Sequence, residues 1–473
     1  MTSQIALLNH LGAALASDSV VSFESGRNYS TVNKIFSLAG RQPVGIMICG
    51  SARYNPGDVA WERVIGLFRQ HIGEKELPEL NDYVFEFQRF VTTHEVINSK
   101  AKNDLRIQED LIEYFTKPII SAASAREEMS ASTQLSVLPD YLPEVEDYFS
   151  EAIESRIDWL DQWRIKELES LSSDEEWLNH LFTITKTHKH NAKSASEYFV
   201  ERHNCKKSRK KIENLFIFHL ARHGHSMYWK SSSTVVFVGF GENEISPELT
   251  QMKVGAEVNG DSFADIEFHG IRAREDYRDS GTLEDVVDKS SGIKRWTGSA
   301  MLTPFAVSTE MQNILNGIHE DNEYTLKEYM PRYIFDLIRK DLLEILKETE
   351  GVGKATINRV TTALDENSEN LTKNISGEVR KGIFHTKKKR RERFRFVTAR
   401  VPMKELATFA RTLVTLEAQI AHYSKDRKIV GGPIDLATIT KEDGFLWVDT
   451  KQEIDAKKNP RQIEFGRDSA NFR

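Results

Sequence analysis

The stretch MTSQIALLNHLGAALASDS (residues 1–19) holds two apolar runs separated by four residues of turn character. Residues 3–8 (SQIALL) and 12–17 (GAALAS) predict two short strands, joined by a tight turn at Asn9-His10-Leu11-Gly12. That hairpin returns the chain towards its own start and brings Asp18 close to Thr2. Once Met1 is removed, Thr2 carries a nucleophile and a base on one residue. Its hydroxyl is weak alone, but its α-amine, titrating at about 7.7 to 8.0, can take the proton as the hydroxyl attacks a carbonyl.

Working outward, Asp18 lies sixteen residues after Thr2, and Lys34 sixteen residues after Asp18. Lys34 would keep the amine neutral and stabilise developing negative charge, with Asp18 holding the ammonium in place. A third strand is expected through Val32-Asn33-Lys34-Ile35-Phe36 and a fourth over Val44–Ile48, ending in Cys49-Gly50-Ser51. Gly50 lets a backbone N–H approach a substrate closely, as an oxyanion hole requires. Each residue also has an ordinary reading. Small second residues permit Met removal in many proteins, Asp18 could cap its own turn, Lys34 could be a solvated strand end, and Gly50 could start a turn. Their joint register with four expected strands favours the catalytic reading.

These stretches, Thr2-Ser3, LASDS (15–19), NKIF (33–36) and ICGS (48–51), resemble the proteasome β-type N-terminal nucleophile hydrolases, including the peptidase subunit of the bacterial ATP-dependent two-component protease. The resemblance implies that Thr2 is the nucleophile, Asp18 and Lys34 its supporting acid and lysine, and Gly50 the oxyanion-hole glycine. It implies an α+β fold, a four-layer αββα Ntn-hydrolase sandwich, here with large helical insertions. The interval between Lys34 and Gly50 is two residues longer than the family pattern.

Further blocks resemble the same family. VVFVGFGENEISPEL (235–249) looks like its central strand and the next, and VGGPIDLATITKEDGFLWVD (430–449) reads as a hairpin turning at Asp443-Gly444. In MLTPFAVSTEMQNIL (301–315) an apolar run is followed by Ser308 at the start of a helix, where the family places an accessory serine. Ser308 is equally well placed as an ordinary N-cap. The chain departs from the pattern at Val430, where many members have serine, and at Arg427, where they have aspartate; Asp426 is one position away.

Composition narrows the class. The 473 residues carry a formal net charge of −7, which gives no global case for nucleic acid, and the two cysteines make no disulfide framework. There is no apolar run of the roughly 18 residues that a membrane span needs, and residues 1–20 lack the basic start and cleavage pattern of a signal peptide. A cytoplasmic protein is expected. The N-terminal nucleophile mechanism calls for no metal or organic cofactor. The expected partners are a peptide or protein substrate and, from the family, a homo-oligomer and an ATP-driven unfoldase.

Long stretches have helical periodicity: 58–117, Leu142 to about Lys230, and about 324–422. The expected organisation is an Ntn core assembled from 1–135, 231–323 and 401–473, interrupted by a helical insertion at 136–230 and a helical region at 324–400. KKKRRERFRF (387–396) is the strongest basic run; a solvated surface is favoured over nucleic-acid binding. Residues 402–422 read as a final helix packing Leu406, Phe409, Leu413 and Leu416 on the sheet. In FHLARHGHS (218–226), Arg222-His223-Gly224 looks like the histidine-phosphatase triplet, but it reads as the end of a helix with Gly224 as its stop. His219 and His223 lack a third metal ligand of stated geometry. The sequence therefore favours an N-terminal threonine hydrolase of amide or peptide bonds, a peptidase or small-substrate amidase, over a catalytically silent scaffold or regulatory binding protein of the same fold.

Overall fold

The computed structural model of the chain describes residues 2–22, 28–29, 32–38, 42–54, 57–112, 142–231, 233–255, 264–268, 271–273, 284–287, 294–298, 300–306, 308–423 and 430–451. The chain opens with strands β1 (Ser3–Asn9), β2 (Gly12–Ser17), β3 (Val21–Ser22), β4 (Asn28–Tyr29), β5 (Ile35–Ser37), β6 (Val44–Gly50), β7 (Arg53–Tyr54) and β8 (Val59–Ala60). Helices α1 (Trp61–Ile72), α2 (Leu80–Thr93), α3 (100–112), α4 (Leu142–Ser170), α5 (Glu175–His203) and α6 (Arg209–Ser231) follow. Then come β9 (Ser233–Gly239), β10 (Glu248–Val254), β11 (Ala264–Phe268), β12 (Ile271–Ala273), β13 (Glu284–Val287), β14 (Lys294–Gly298) and β15 (Ala300–Ala306). The chain continues through α7 (Thr309–Asn316), α8 (Glu320–Glu328), α9 (Met330–Glu348), α10 (Lys354–Glu366), α11 (Ser368–Thr398), α12 (Met403–Tyr423), β16 (Asp435–Thr440) and β17 (Gly444–Asp449).

Two five-stranded sheets organise this mixed α and β architecture, one in the order β15-β1-β2-β16-β17 and the other β11-β10-β9-β6-β5. Side chains alternate between the faces of a strand, so a strand covered on both sides reads as a continuous apolar run. In β1, Ala6 and Leu8 join Leu15 of β2, Met47 of β6 and Val236 and Val238 of β9 in one core shared by both sheets. Ile5 and Leu7 point the other way and pack with Leu406, Ala410 and Val414 of α12 and Met311 of α7. In the second sheet, Ile46 and Phe237 face α1 and α2 instead. There Phe68, Phe87 and Phe237 form edge-on ring pairs with centroids 4.8 and 5.3 Å apart, each contributing about 0.5–1.5 kcal/mol beyond area burial.

The face that α12 buries runs through Leu406, Ala407, Ala410, Leu413 and Val414. Leu416 is only half-buried, and Phe409 stacks on Phe394 of α11, 6.1 Å between centroids, so the expected Leu406/Phe409/Leu413/Leu416 stripe is displaced towards the alanines. Small side chains let the helix approach the sheet closely, and the bulky ones fill the flank.

Helices α3 to α6 bury a separate core that includes Ile107, Leu111, Ile157, Ile184, Phe199 and Phe216. Asp174 caps α5 by accepting from Trp177 N at 3.0 Å, and Asn204 ends it in the left-handed conformation. Helix α6 continues past Gly224 to Ser231, so that glycine is not its stop. The cost of about 1 kcal/mol for a mid-helix glycine is outweighed where the same helix buries Phe216 and Leu220. His219 is buried in α6, whereas the side chains of His223 and His225 lie outside the described ones. Among the described residues no helix is long and apolar enough to cross a membrane, and no group of three or more His, Cys, Asp or Glu side chains is placed to hold a metal.

The basic run is largely exposed, with Lys388, Lys389, Arg390, Arg391 and Arg393 on the surface, and several of its residues also make local contacts. Lys387 pairs with Glu323 at 2.5 Å, Arg391 Nε donates to Asn316 Oδ1 at 2.7 Å, and Arg390 lies 4.9 Å over the Phe394 ring. The segment is thereby fastened to α7 and α8.

Candidate active site

Thr2 immediately precedes β1 and is 4% exposed. Because β1 and β2 pair with Gln4 opposite Ser17, Asp18 leaves β2 beside the start of β1. Its backbone N donates to Ser3 O at 3.0 Å, and the Ser3 N–H returns a hydrogen bond to Asp18 Oδ1 at 2.9 Å. The Thr2–Ser3 peptide is thus held by the carboxylate.

Lys34 reaches the same oxygen from the other sheet. It stands just ahead of β5, its carbonyl accepting from Ile48 N of β6 at 2.9 Å. Its Nζ donates to Asp18 Oδ1 at 2.7 Å and to Val20 O at 2.6 Å. Asp18 Oδ2 accepts from Gly431 N at 3.0 Å, and Gly431 O accepts from Ser19 N at 3.1 Å. The ion pair is screened from water, with side-chain exposures of 4% and 0% for Lys34 and Asp18. A lone buried charge is expensive, and Asp18 is acceptable here because an ammonium and two backbone N–H groups share it.

A second lysine tunes the first. Asp435, opposite Ser17 on β16, is buried and binds both the backbone N and the Nζ of Lys451. Burial, the largest effect, pulls the Lys34 ammonium below the ordinary 10.5 of lysine; Asp18 opposes this and the Lys451 charge adds to it. The Asp435–Lys451 pair escapes a reading of the sequence, because an aspartate opening a strand and a lysine after a hairpin carry no signal until β16 pairs with β2.

Gly50 ends β6 with φ of 94°, a left-handed value that suits glycine, and it is exposed. Its register partner is Ser233 of β9, whose hydroxyl donates to Ser51 O at 3.0 Å and accepts from Trp61 Nε1 at 2.9 Å. That contact fixes the turn after Gly50. The Gln4 side chain ties the two sheets at this end by donating to Ile48 O at 2.9 Å. Next to Gly50, burial pushes the Cys49 thiol up to about 11.

Ser308 follows β15, whose Ala306 is the register partner of Ser3, so it leaves the sheet at the Thr2 end. It occupies the N-cap position of α7, but its side chain makes no cap. The Ser308 hydroxyl donates to Ala306 O at 3.3 Å and accepts from Gln312 Nε2 at 3.0 Å. The cap comes from α12, where buried Glu417 accepts from Glu310 N and Met311 N through Oε2 at 2.9 and 3.0 Å. Val430 is fully buried, and its neighbour Gly431 serves Asp18 through the backbone. Asp426 and Arg427 lie outside the described residues.

At one end of the facing sheets, the fold therefore collects Thr2, Asp18, Lys34, Gly50 and Ser308 from five separate segments. Asp18 and Lys34 touch directly, and Asp18 touches the residue that follows Thr2.

No family model matches the sequence, and no curated protein matches it. Among solved structures, a likeness is found to the Anbu (Gly-1) mutant from Hyphomicrobium sp. strain MC1, with 8% identity, a TM-score of 0.28, and coverage of 100% of this chain and 98% of that one. At that TM-score the likeness carries no argument about this chain's chemistry, which rests on its own residues.

Proposed function

We propose that the chain is an N-terminal threonine hydrolase that cleaves amide or peptide bonds. One observation carries the reading: a water-screened Lys34–Asp18 pair whose carboxylate also grips the peptide N–H following Thr2. A structural ion pair seldom needs this arrangement, since burying two charges at a chain start gives little net stability. With Met1 removed, Thr2 Oγ attacks the carbonyl carbon while the α-amine accepts the hydroxyl proton. The Gly50 N–H stabilises the oxyanion, and the leaving amine takes the proton as the C–N bond breaks. Water, deprotonated by the same amine, then hydrolyses the acyl ester and regenerates Thr2.

In this reading the two facing sheets and the helices on their outer faces are a four-layer αββα Ntn-hydrolase sandwich. Its core is built from 1–135, 231–323 and 401–473, with 136–230 and 324–400 as helical additions. The substrate is a peptide or protein; a homo-oligomer and an ATP-driven unfoldase are the further partners of the resembled family. A catalytically silent scaffold or regulatory binding protein is the second reading, favoured by Val430 standing where many members of the resembled family have serine. Release of amine from fluorogenic peptide amides, compared between the wild type and Thr2→Ala, separates the two: the hydrolase loses turnover in the variant, and the scaffold has none to lose.

A further inference from the structure

Beside the Lys34–Asp18 pair the fold buries a second ion pair to which the proposed chemistry gives no part. Gln4, Ser17 and Asp435 are register partners across β1, β2 and β16. Residues paired across a ladder project from the same face of the sheet. Gln4 identifies that face, because its amide donates to Ile48 O of the second sheet. Leu15 and Ala437, the next pair on it, join Met47 and Val236 in the core shared by both sheets. The Asp435 carboxyl therefore enters the gap between the sheets, opposite the residue that precedes Asp18. It binds Lys451 twice, accepting from the backbone N at 3.1 Å and pairing with Nζ, and the Lys451 and Asp435 side chains are 3% and 2% exposed.

The segment leading into Asp435 is also the one that holds Asp18. Gly431 N donates to Asp18 Oδ2 at 3.0 Å, while Ser19 donates to Gly431 O and Pro433 O at 3.1 and 2.6 Å. The β16–β17 hairpin does not need the pair as a staple, because five register pairs already join its strands and a buried ion pair adds little net stability. We infer that Lys451, fixed by Asp435, is a positioning residue of the Thr2 site, a second buried ammonium that acts on the reaction through Lys34. This role rests on the hydrolase reading of Thr2. Burial, the largest effect, disfavours the Lys34 ammonium; of the groups around it, Asp18 and Cys49 favour it and Lys451 opposes it. In the hydrolase reading the Thr2 α-amine is a further titratable neighbour. Lys451 thus bounds the pH range over which Lys34 stays charged.

The test uses the full chain, isotope-labelled at lysine Cε. The Lys34 resonance, assigned by its loss in Lys34→Arg, is followed against pH by NMR beside the pH–rate profile for a fluorogenic peptide amide. Lys451→Gln should move both the Lys34 titration and the alkaline limb of the rate upward by about half a pH unit or more, roughly a threefold change in proton affinity. Lys451→Arg, which keeps the charge on Asp435, should leave both near the wild type. If Lys451→Gln does not fold, the double change Asp435→Asn/Lys451→Gln, which strands no buried charge, should show the same upward direction. A titration and limb that stay in place in Lys451→Gln would overturn the role. So would a rate loss without either shift, which marks a merely structural pair. Absence of Thr2-dependent turnover in the wild type would overturn the hydrolase reading and the role with it, and the Lys34 titration, which needs no turnover, tells the two failures apart.

Discussion

Lys34 Nζ lies 2.7 Å from Asp18 Oδ1 although the two residues flank strands of different sheets, and both side chains are buried. The pair is the covalently unlinked joint between the strand that starts at Thr2 and the strands that end at Gly50. Removing either partner leaves the other charge buried alone, which typically costs about 3–5 kcal/mol. Lys34→Met and Asp18→Ala should each destabilise the chain by that order, whereas the double change should cost less than the sum of the two. Urea unfolding of the three variants measures this; additive effects would mean that the pair is not coupled.

The lowered pKa of Lys34 has a definite sign in both stability and rate. The folded chain gives up this proton at a lower pH than the unfolded chain, so the unfolded state binds more protons between the lowered value and 10.5, and Lys34's contribution to stability rises with pH across that window. If the ammonium supports acylation, the rate should fall along an alkaline limb below 10.5. Lys34→Arg, with a guanidinium that stays charged, should move that limb upward if it folds. A pH–rate profile of wild type and variant is the measurement; an alkaline limb at the same pH in both would remove Lys34 from the titration.

Glu417 caps α7 from a distance, accepting the N–H groups of Glu310 and Met311 in its first turn. Glu417→Ala should therefore cost about 2–3 kcal/mol, while Glu417→Gln keeps an acceptor and should cost much less. Burial raises the Glu417 pKa, so its contribution is fully present below the ordinary carboxylate value and is lost as pH rises through the raised one; the Gln variant should lack that slope. Thermal unfolding at several pH values reads both effects.

Cys49 and Cys205 are both free and buried, and burial pushes each thiol up to about 11. Neither should react with a thiol reagent at pH 8 in the native chain, and both should react in denaturant, because the thiolate is the reactive form. Rapid native labelling of Cys49 would show that the Lys34 end opens to solvent.

How much of this could be read beforehand depends on the range of the interaction. β1, β2, β6 and β9 were legible because both faces of each are covered, so their apolar runs are continuous and bounded by turn residues. The mixed α and β class and the long helices followed from the same periodicities. The third strand starts later than the expected Val32, at Ile35, with Lys34 joined to β6 just ahead of it through its carbonyl. Ser308 stands at the head of α7, where an N-cap is expected, but the capping falls to Glu417, which is adjacent only after α12 has folded onto the sheet. Gly224 suggested a helix stop on local propensity, and the buried face of α6 overrode it. The Asp435–Lys451 pair is wholly tertiary and left no local trace.

Intact mass of the purified chain, before and after a threonine-directed β-lactone and alongside Thr2→Ala, tests the central claim most directly. The account predicts loss of Met1 and a single adduct on the wild type that is absent from the variant. Retention of Met1, or an exposed Thr2 that takes no adduct, would contradict it and leave the Lys34–Asp18 pair as part of a silent scaffold.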